Sequence, residues 1–267
     1  MKHIYNLQRQ KEDERDFKLA AFTSDELPRK ADLREKCPPV FDQGSLGSCT
    51  ANAGVAAYMM LKGIRNGELS RLFLYFEERR MEGTTRQDAG AEMRSIGKAL
   101  NKVGVCTEGL WPYMIENYDD DPPEEADADA ACRKAAAYKK LSGITSIKQY
   151  IAKTGQPVMI GFEVYSSFET DEVGQTGIVP MPDTAKEELL GGHAVLVVGY
   201  DDDFGKARKS GGILTDLWNK LIGSGSDDND GYFIVRNSWG SGWGDGGYFY
   251  LPYAFVRKYA FDFWVLE

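Results

Sequence analysis

The 267-residue sequence is sparing with thiols and imidazoles: four cysteines, Cys37, Cys49, Cys106 and Cys132, and two histidines, His3 and His193. Cys49 closes the glycine- and serine-rich stretch DQGSLGSC and opens TANAGVAAYMMLKGIRN, whose apolar positions 51, 55, 56, 59, 60 and 64 recur at helical spacing. A thiol delivered there enters the first turn of a helix. Unpaired N–H groups and the positive end of the helix dipole then favour thiolate, the nucleophilic form. The same segment also suits a buried, inert cysteine. His193 begins the apolar run HAVLVVGY after Gly191-Gly192, so its ring either faces a cleft at a strand end or is a satisfied core histidine. Asn237 closes the strand-like YFIVRN and precedes Trp239 and a glycine-dense turn, while His3 lies in a charged terminal stretch.

The elements that must bring these residues together change character along the chain. Residues 1–28 are polar and charged and form an extension ending at Leu27-Pro28. Three helical patterns follow, at 50–66, 71–82 and 91–102. The acidic, proline-containing run NYDDDPPEEADADA suits a solvated connection. Beyond it, residues 157–164, 192–200, 232–237 and 248–251 are rich in β-branched and aromatic residues and predict strands. Helices followed by strands make this an α+β chain with a mainly helical subdomain at 29–140 and a β-rich one at 141–267.

Composition removes several classes. With 32 basic against 41 acidic residues and a net charge of −9, binding to nucleic acid or to an anionic membrane has no global electrostatic support. No apolar run is long enough to span a bilayer, and the charged opening lacks the hydrophobic core of a signal peptide, so a cytoplasmic protein is expected, export by a non-classical route aside. No metal or other cofactor is expected: there is no C-x-x-C pair, and the two histidines cannot form H-E-x-x-H. The GWGDGG turn matches a dinucleotide pattern but precedes a strand-like YFYL, not a helix. No G-x-S-x-G occurs either, which removes support for a serine hydrolase.

Several motifs, taken jointly over residues 27–251, resemble the papain family of cysteine peptidases. They are LPRKADLRE, Gln43 six residues before Cys49, GVCTEGLWPY, QPVMIGF, His193 in GGHAVLVVGY and RNSWGSGWGDGGYF. Cys49 and His193 lie 144 residues apart, within the family's usual interval. The resemblance implies a papain-like fold, a helical subdomain and a β-rich, barrel-like one with the active-site cleft between them. It implies Cys49 as nucleophile, His193 as its acid-base partner, Asn237 as the residue orienting the ring under Trp239, and Gln43 as an oxyanion donor. It further assigns Gly90, Ala91, Met93, Gly161, Gly191 and Gly192 to the substrate cleft, with a roomy pocket for an apolar side chain, and Trp239 and Trp243 to the same groove, Trp243 on the leaving-group side. The implied partner is a peptide or protein substrate; oligomeric state is left open. An acyl transferase using the same residues and a non-catalytic scaffold are the alternatives.

The sequence departs from the family pattern in four places. Leu46 replaces a disulfide cysteine and Thr50 replaces an aromatic after the nucleophile, as in a microbial or viral branch. Cys106 and Cys132 are expected to be free thiols. Residues 1–28 are too few for the usual helical pro-region, but Asn6–Phe22 are a candidate cover for the cleft, with a flexible tail as the alternative. About 28 residues at 202–230 are inserted between His193 and Asn237, contain a short amphipathic helix pattern, ILTDLWNKLIG, and are expected far from the thiol. The acidic clusters DDD and DDND there match no EF-hand spacing and suit a solvated loop.

Overall fold

The computed structural model describes residues 3–20, 22, 26–66, 69–204 and 231–267. The helix opened by the nucleophile candidate is α1, Cys49–Lys62, rich in alanine and methionine and buried along Cys49–Met60. It ends where Gly63 adopts a left-handed conformation. Helix α2, Arg71–Glu82, is capped by Ser70, whose hydroxyl accepts from the Phe73 N–H. In α3, Met93–Lys102, the buried residues include Met93, Ile96, Ala99 and Leu100, the three- and four-residue spacing of one apolar face. All three helices pack together, and α1 also packs against the sheet.

One predicted connection is partly helical. Within the acidic run, Glu124–Ala130 form α4, led by Pro123 at its N-cap. Glu124, Glu125 and Asp127 lie in its first turn, where the helix dipole favours carboxylates, and Ala126 and Ala130 are buried one turn apart. Charge density concealed a two-alanine face.

Among the described residues the sheet has seven strands: β1 Lys30–Asp32, β2 Tyr138–Lys140, β3 Val158–Tyr165, β4 Leu189–Asp201, β5 Tyr232–Arg236, β6 Tyr248–Pro252 and β7 Ala260–Leu266. Its order is β2-β7-β3-β4-β5-β6, with β1 paired to the end of β4, and every pairing is antiparallel. Helices α5 Ile144–Thr154, α6 Asp171–Thr176 and α7 Tyr253–Tyr259 complete the described chain. The thirteen-residue β4 is the spine: β3 and β1 share one edge, β5 takes the other, and α1 packs against it. That arrangement sets the start of α1 beside the start of β4. The amphipathic pattern expected within 202–230 lies outside the described residues.

The N-terminal stretch is paired to the body. Leu19 donates its N–H to the Lys140 carbonyl at 2.9 Å, and the Lys140 N–H returns a bond to Phe17 at 2.8 Å. Further upstream, Asn6 pairs with Gly192 and Gln8 with Glu92, both in the parallel sense.

Candidate active site

Cys49 is the first residue of α1, with its side chain buried and the Ala194 backbone N–H directed at the sulfur. His193, the residue before Ala194 on β4, is fully buried. Its Nε2 lies 2.9 Å from Asn237 Oδ1, and that oxygen also accepts from the Ser238 N–H at 2.9 Å. An oxygen already accepting one N–H acts as acceptor towards the ring too, which puts the imidazole proton on Nε2. Nδ1 is then a lone pair, and it has no hydrogen-bond partner among the described residues. Asn237 directly follows β5, so the β4–β5 pairing brings ring and carboxamide together. Trp239 covers the pair, stacked on His193 with centroids 5.2 Å apart.

Gln43 is buried in the loop before α1. Its Oε1 accepts from Ser238 Oγ at 2.6 Å, which fixes the orientation of the amide, and its Nε2 donates to the Leu46 carbonyl at 2.9 Å. The loop is braced by side chains that sequence spacing did not reveal. Arg71 donates to the Asp42 carbonyl at 2.9 Å and to Asn52 Oδ1 at 3.0 Å, with its guanidinium 3.8 Å from the Tyr113 ring centre. Tyr113 Oη reaches Ser48 Oγ at 2.5 Å and the Gln43 carbonyl at 3.0 Å, and Asp88 accepts from the Gly47 N–H. WPY in the sequence was the available signal for Tyr113; nothing marked Arg71.

The cleft residues face a segment of this same chain. His3 stacks on Trp239 at 3.8 Å, Tyr5 packs edge-on against His193, and the Leu7 N–H donates to the Gly192 carbonyl at 3.2 Å. Gln8 donates its N–H to the Ala91 carbonyl at 3.1 Å. The segment therefore runs from Trp239 at residue 3 to the Gly161 wall at residue 7. Leu7 is only 6 % exposed, and a Cβ on Gly161 would lie 2.8 Å from its Cδ2 and 3.0 Å from Phe261. Gly90 has φ +71°, and a Cβ there would meet the Asn6 carbonyl oxygen at 2.0 Å, so only glycine allows this backbone approach. Gly191 lies against the Tyr5 carbonyl. Met93 is fully buried at the start of α3, one residue after Glu92. Trp243 packs edge-on to Trp239 at 4.8 Å.

Beyond the cleft, Arg94 grips the segment. Its Nε and Nη2 meet the two Asp16 carboxylate oxygens at 2.7 and 2.8 Å, its Nη2 also reaches the Lys11 carbonyl, and its N–H meets Gln10 Oε1. The paired fork is a strong, geometrically defined contact.

Burial dominates the electrostatics. It pushes the Cys49 thiol up to about 12 and His193 down to about 4, so beneath the segment both groups are neutral at physiological pH. Burial also holds Glu78 well above the usual carboxylate range; its Oε2 accepts from the Thr50 hydroxyl at 2.5 Å, on the residue after Cys49, and its Oε1 has no partner among the described residues. All four cysteines are free.

Known proteins share the sequence pattern and the fold of this chain. A papain family cysteine protease model matches residues 27–258. An uncharacterised peptidase C1-like protein of Acanthamoeba polyphaga mimivirus is 37% identical over 241 residues, covering 85% of this chain and 68% of the relative. The crystal structure of xylellain, a cysteine protease from Xylella fastidiosa, superposes with a TM-score of 0.79 at 33% identity, covering 98% of this chain and 95% of that one. A digestive procathepsin L2 of Tenebrio molitor larval midgut, at 21% identity, shares the fold with a TM-score of 0.69 over 99% of this chain and 78% of its own. A thiol at the start of a helix, an imidazole on the facing strand and a carboxamide behind it thus sit in a shared α+β framework, and the chain belongs to the papain family of cysteine proteases.

Proposed function

We propose that this cysteine peptidase hydrolyses peptide bonds through a Cys49–His193 pair and a thioester acyl-enzyme, and that residues 3–20 inhibit it by occupying the cleft. The observation that carries the reading is the His193 ring, held at Nε2 by Asn237 and carried on the residue just before Ala194, whose backbone N–H is directed at the Cys49 sulfur at the start of α1. In the uncovered enzyme the Cys49 thiol gives its proton to Nδ1, and the thiolate attacks the scissile carbonyl carbon. The oxyanion forms beside Gln43 Nε2 and the Cys49 N–H, each such donor being worth roughly 3–4 kcal/mol. Collapse breaks the C–N bond, and the Nδ1 proton leaves with the amine. Water then attacks the thioester while giving a proton to Nδ1. The C–S bond breaks and the proton returns to sulfur.

The direction of the covering segment supports inhibition over turnover. A substrate places its acyl side over Gly161 and its leaving amine towards Trp243, whereas residues 3–8 run the opposite way along the groove. No bond of this segment is presented to Cys49 with productive polarity.

Iodoacetamide labelling at pH 6 tests the pair. Read at Cys49 by peptide mass mapping, separately from the exposed Cys132, the expected result is slow labelling in the full chain, faster labelling when Leu7 is replaced by alanine, and loss of the acid-pH reaction in His193→Ala. Mass analysis of peptide products, with and without added amine, distinguishes hydrolysis from acyl transfer. Failure of Cys49 to label or to cleave any peptide with the cover loosened would leave a scaffold, not a catalyst.

A further inference from the structure

Beside the Gly161 pocket, the cleft wall carries a second recognition feature. Along β3, side chains alternate between faces: Phe162 points inward and packs against His193, while Gly161 and Glu163 share the face turned to the covering segment. Gly161 leaves room for Leu7. Two residues farther along the segment, Arg9 Nη2 meets Glu163 Oε1 at 2.5 Å, and its guanidinium carbon lies 4.4 Å from the centre of the Phe261 ring. The other carboxylate oxygen of Glu163 accepts from the Tyr165 hydroxyl at 2.9 Å, which holds it in place. Among the described residues, Arg9 is the one cation paired with Glu163. When the segment leaves, an oriented carboxylate and an aromatic face remain on the wall without their cation.

Resting on the peptidase reading above, we propose that Glu163 and Phe261 form a subsite selecting a basic side chain at the fourth position on the acyl side of the scissile bond, two residues outward from the residue over Gly161. In an extended peptide, side chains two apart point the same way whichever direction the chain runs. The reverse-running segment therefore marks the same location for a forward-running substrate. A carboxylate pairs with either Lys or Arg, but the flat guanidinium also lies over the ring, so Arg is preferred to Lys. The acidic surface, net charge −9 for the chain, draws such substrates in and does not oppose them.

The test uses the full chain carrying Leu7→Ala, assayed with four fluorogenic peptides identical except for Arg, Lys, Gln or Glu at the fourth position, all with Leu at the second. Because every peptide meets the same fraction of open enzyme, ratios of kcat/KM are independent of how far the cover has loosened. Arg is expected to exceed Glu by about 5- to 20-fold, chiefly through KM, since the pair is solvent-accessible. Adding Glu163→Gln, which keeps a partner for Tyr165, brings the ratio towards one. Adding Glu163→Lys inverts it, and 0.5 M salt compresses the preference without abolishing it. Equal cleavage of all four peptides, or an Arg preference surviving Glu163→Gln, overturns the subsite while leaving the peptidase intact. Failure to cleave any of the four overturns both readings.

Discussion

Replacing Leu7 with alanine should convert a covered enzyme into a measurably active one without touching the catalytic pair. The leucine is 6 % exposed and rests over Gly161, so truncation removes three buried carbons from the segment's hold on the cleft. At about 0.8 kcal/mol per buried methylene, the closed state loses about 2.4 kcal/mol. With tenfold for every 1.4 kcal/mol, the open fraction rises about 50-fold, and so does the initial rate while closed molecules remain in excess. The backbone bonds to Gly192 and Ala91 are retained, so the segment is loosened and not deleted. The assay is the initial rate on a fluorogenic leucine-containing peptide, with intact mass confirming that residues 1–28 are still attached. Lys18→Ala, at an exposed side chain, serves as control and should stay within twofold. A rise below threefold for Leu7→Ala, or an equal rise for Lys18→Ala, would refute the idea that the Gly161 pocket anchors the cover.

Three further outcomes follow from the same geometry. Gly161→Val fills the space now taken by Leu7; it should raise the basal rate of the full chain and shift preference at the second position from Leu to Ala, read from paired peptide substrates. Arg71→Met removes the donors to Asp42 and Asn52 that brace the oxyanion loop; kcat should fall about tenfold with KM within twofold, a fraction of the hundredfold or more that a whole oxyanion donor supplies, with partial recovery in Arg71→Lys. Glu78 has a folded-state pKa raised by burial, so its contribution to stability is complete below the ordinary glutamate pKa and is lost as pH climbs towards the raised value. Glu78→Gln, which keeps an acceptor for Thr50, should therefore gain in Tm relative to the parent at pH 8 and show no gain at pH 4, by thermal melts at both.

The placement of Cys49, His193 and Asn237 was legible because its determinants are local. A turn delivering Cys49 into an apolar helix, a glycine pair before His193 and a strand ending at Asn237 each leave a short signature, and pairing of β4 with β5 does the rest. The hold of the N-terminal segment was less visible. Leu7 stands between the polar Asn6 and Gln8, with no periodicity to reveal that its pocket is made by a missing side chain at Gly161. Helix α4 was hidden for a related reason, since its buried face is two alanines and hydropathy is dominated by the acids between them. Arg71 and Glu163 are ordinary surface residue types in sequence. Only the three-dimensional arrangement shows that one is wedged against Tyr113 and the other turned to the groove.

The four free thiols carry a practical meaning of their own. A sulfur nucleophile survives in air only when a reductant keeps it from sulfenic acid and beyond. Where crosslinks hold a scaffold together, the same reductant that preserves the nucleophile can also loosen the frame around it. In this chain the two requirements do not conflict, because no disulfide takes part in holding helices and sheet together. Millimolar dithiothreitol can therefore keep the enzyme reduced at no expense to its melting temperature.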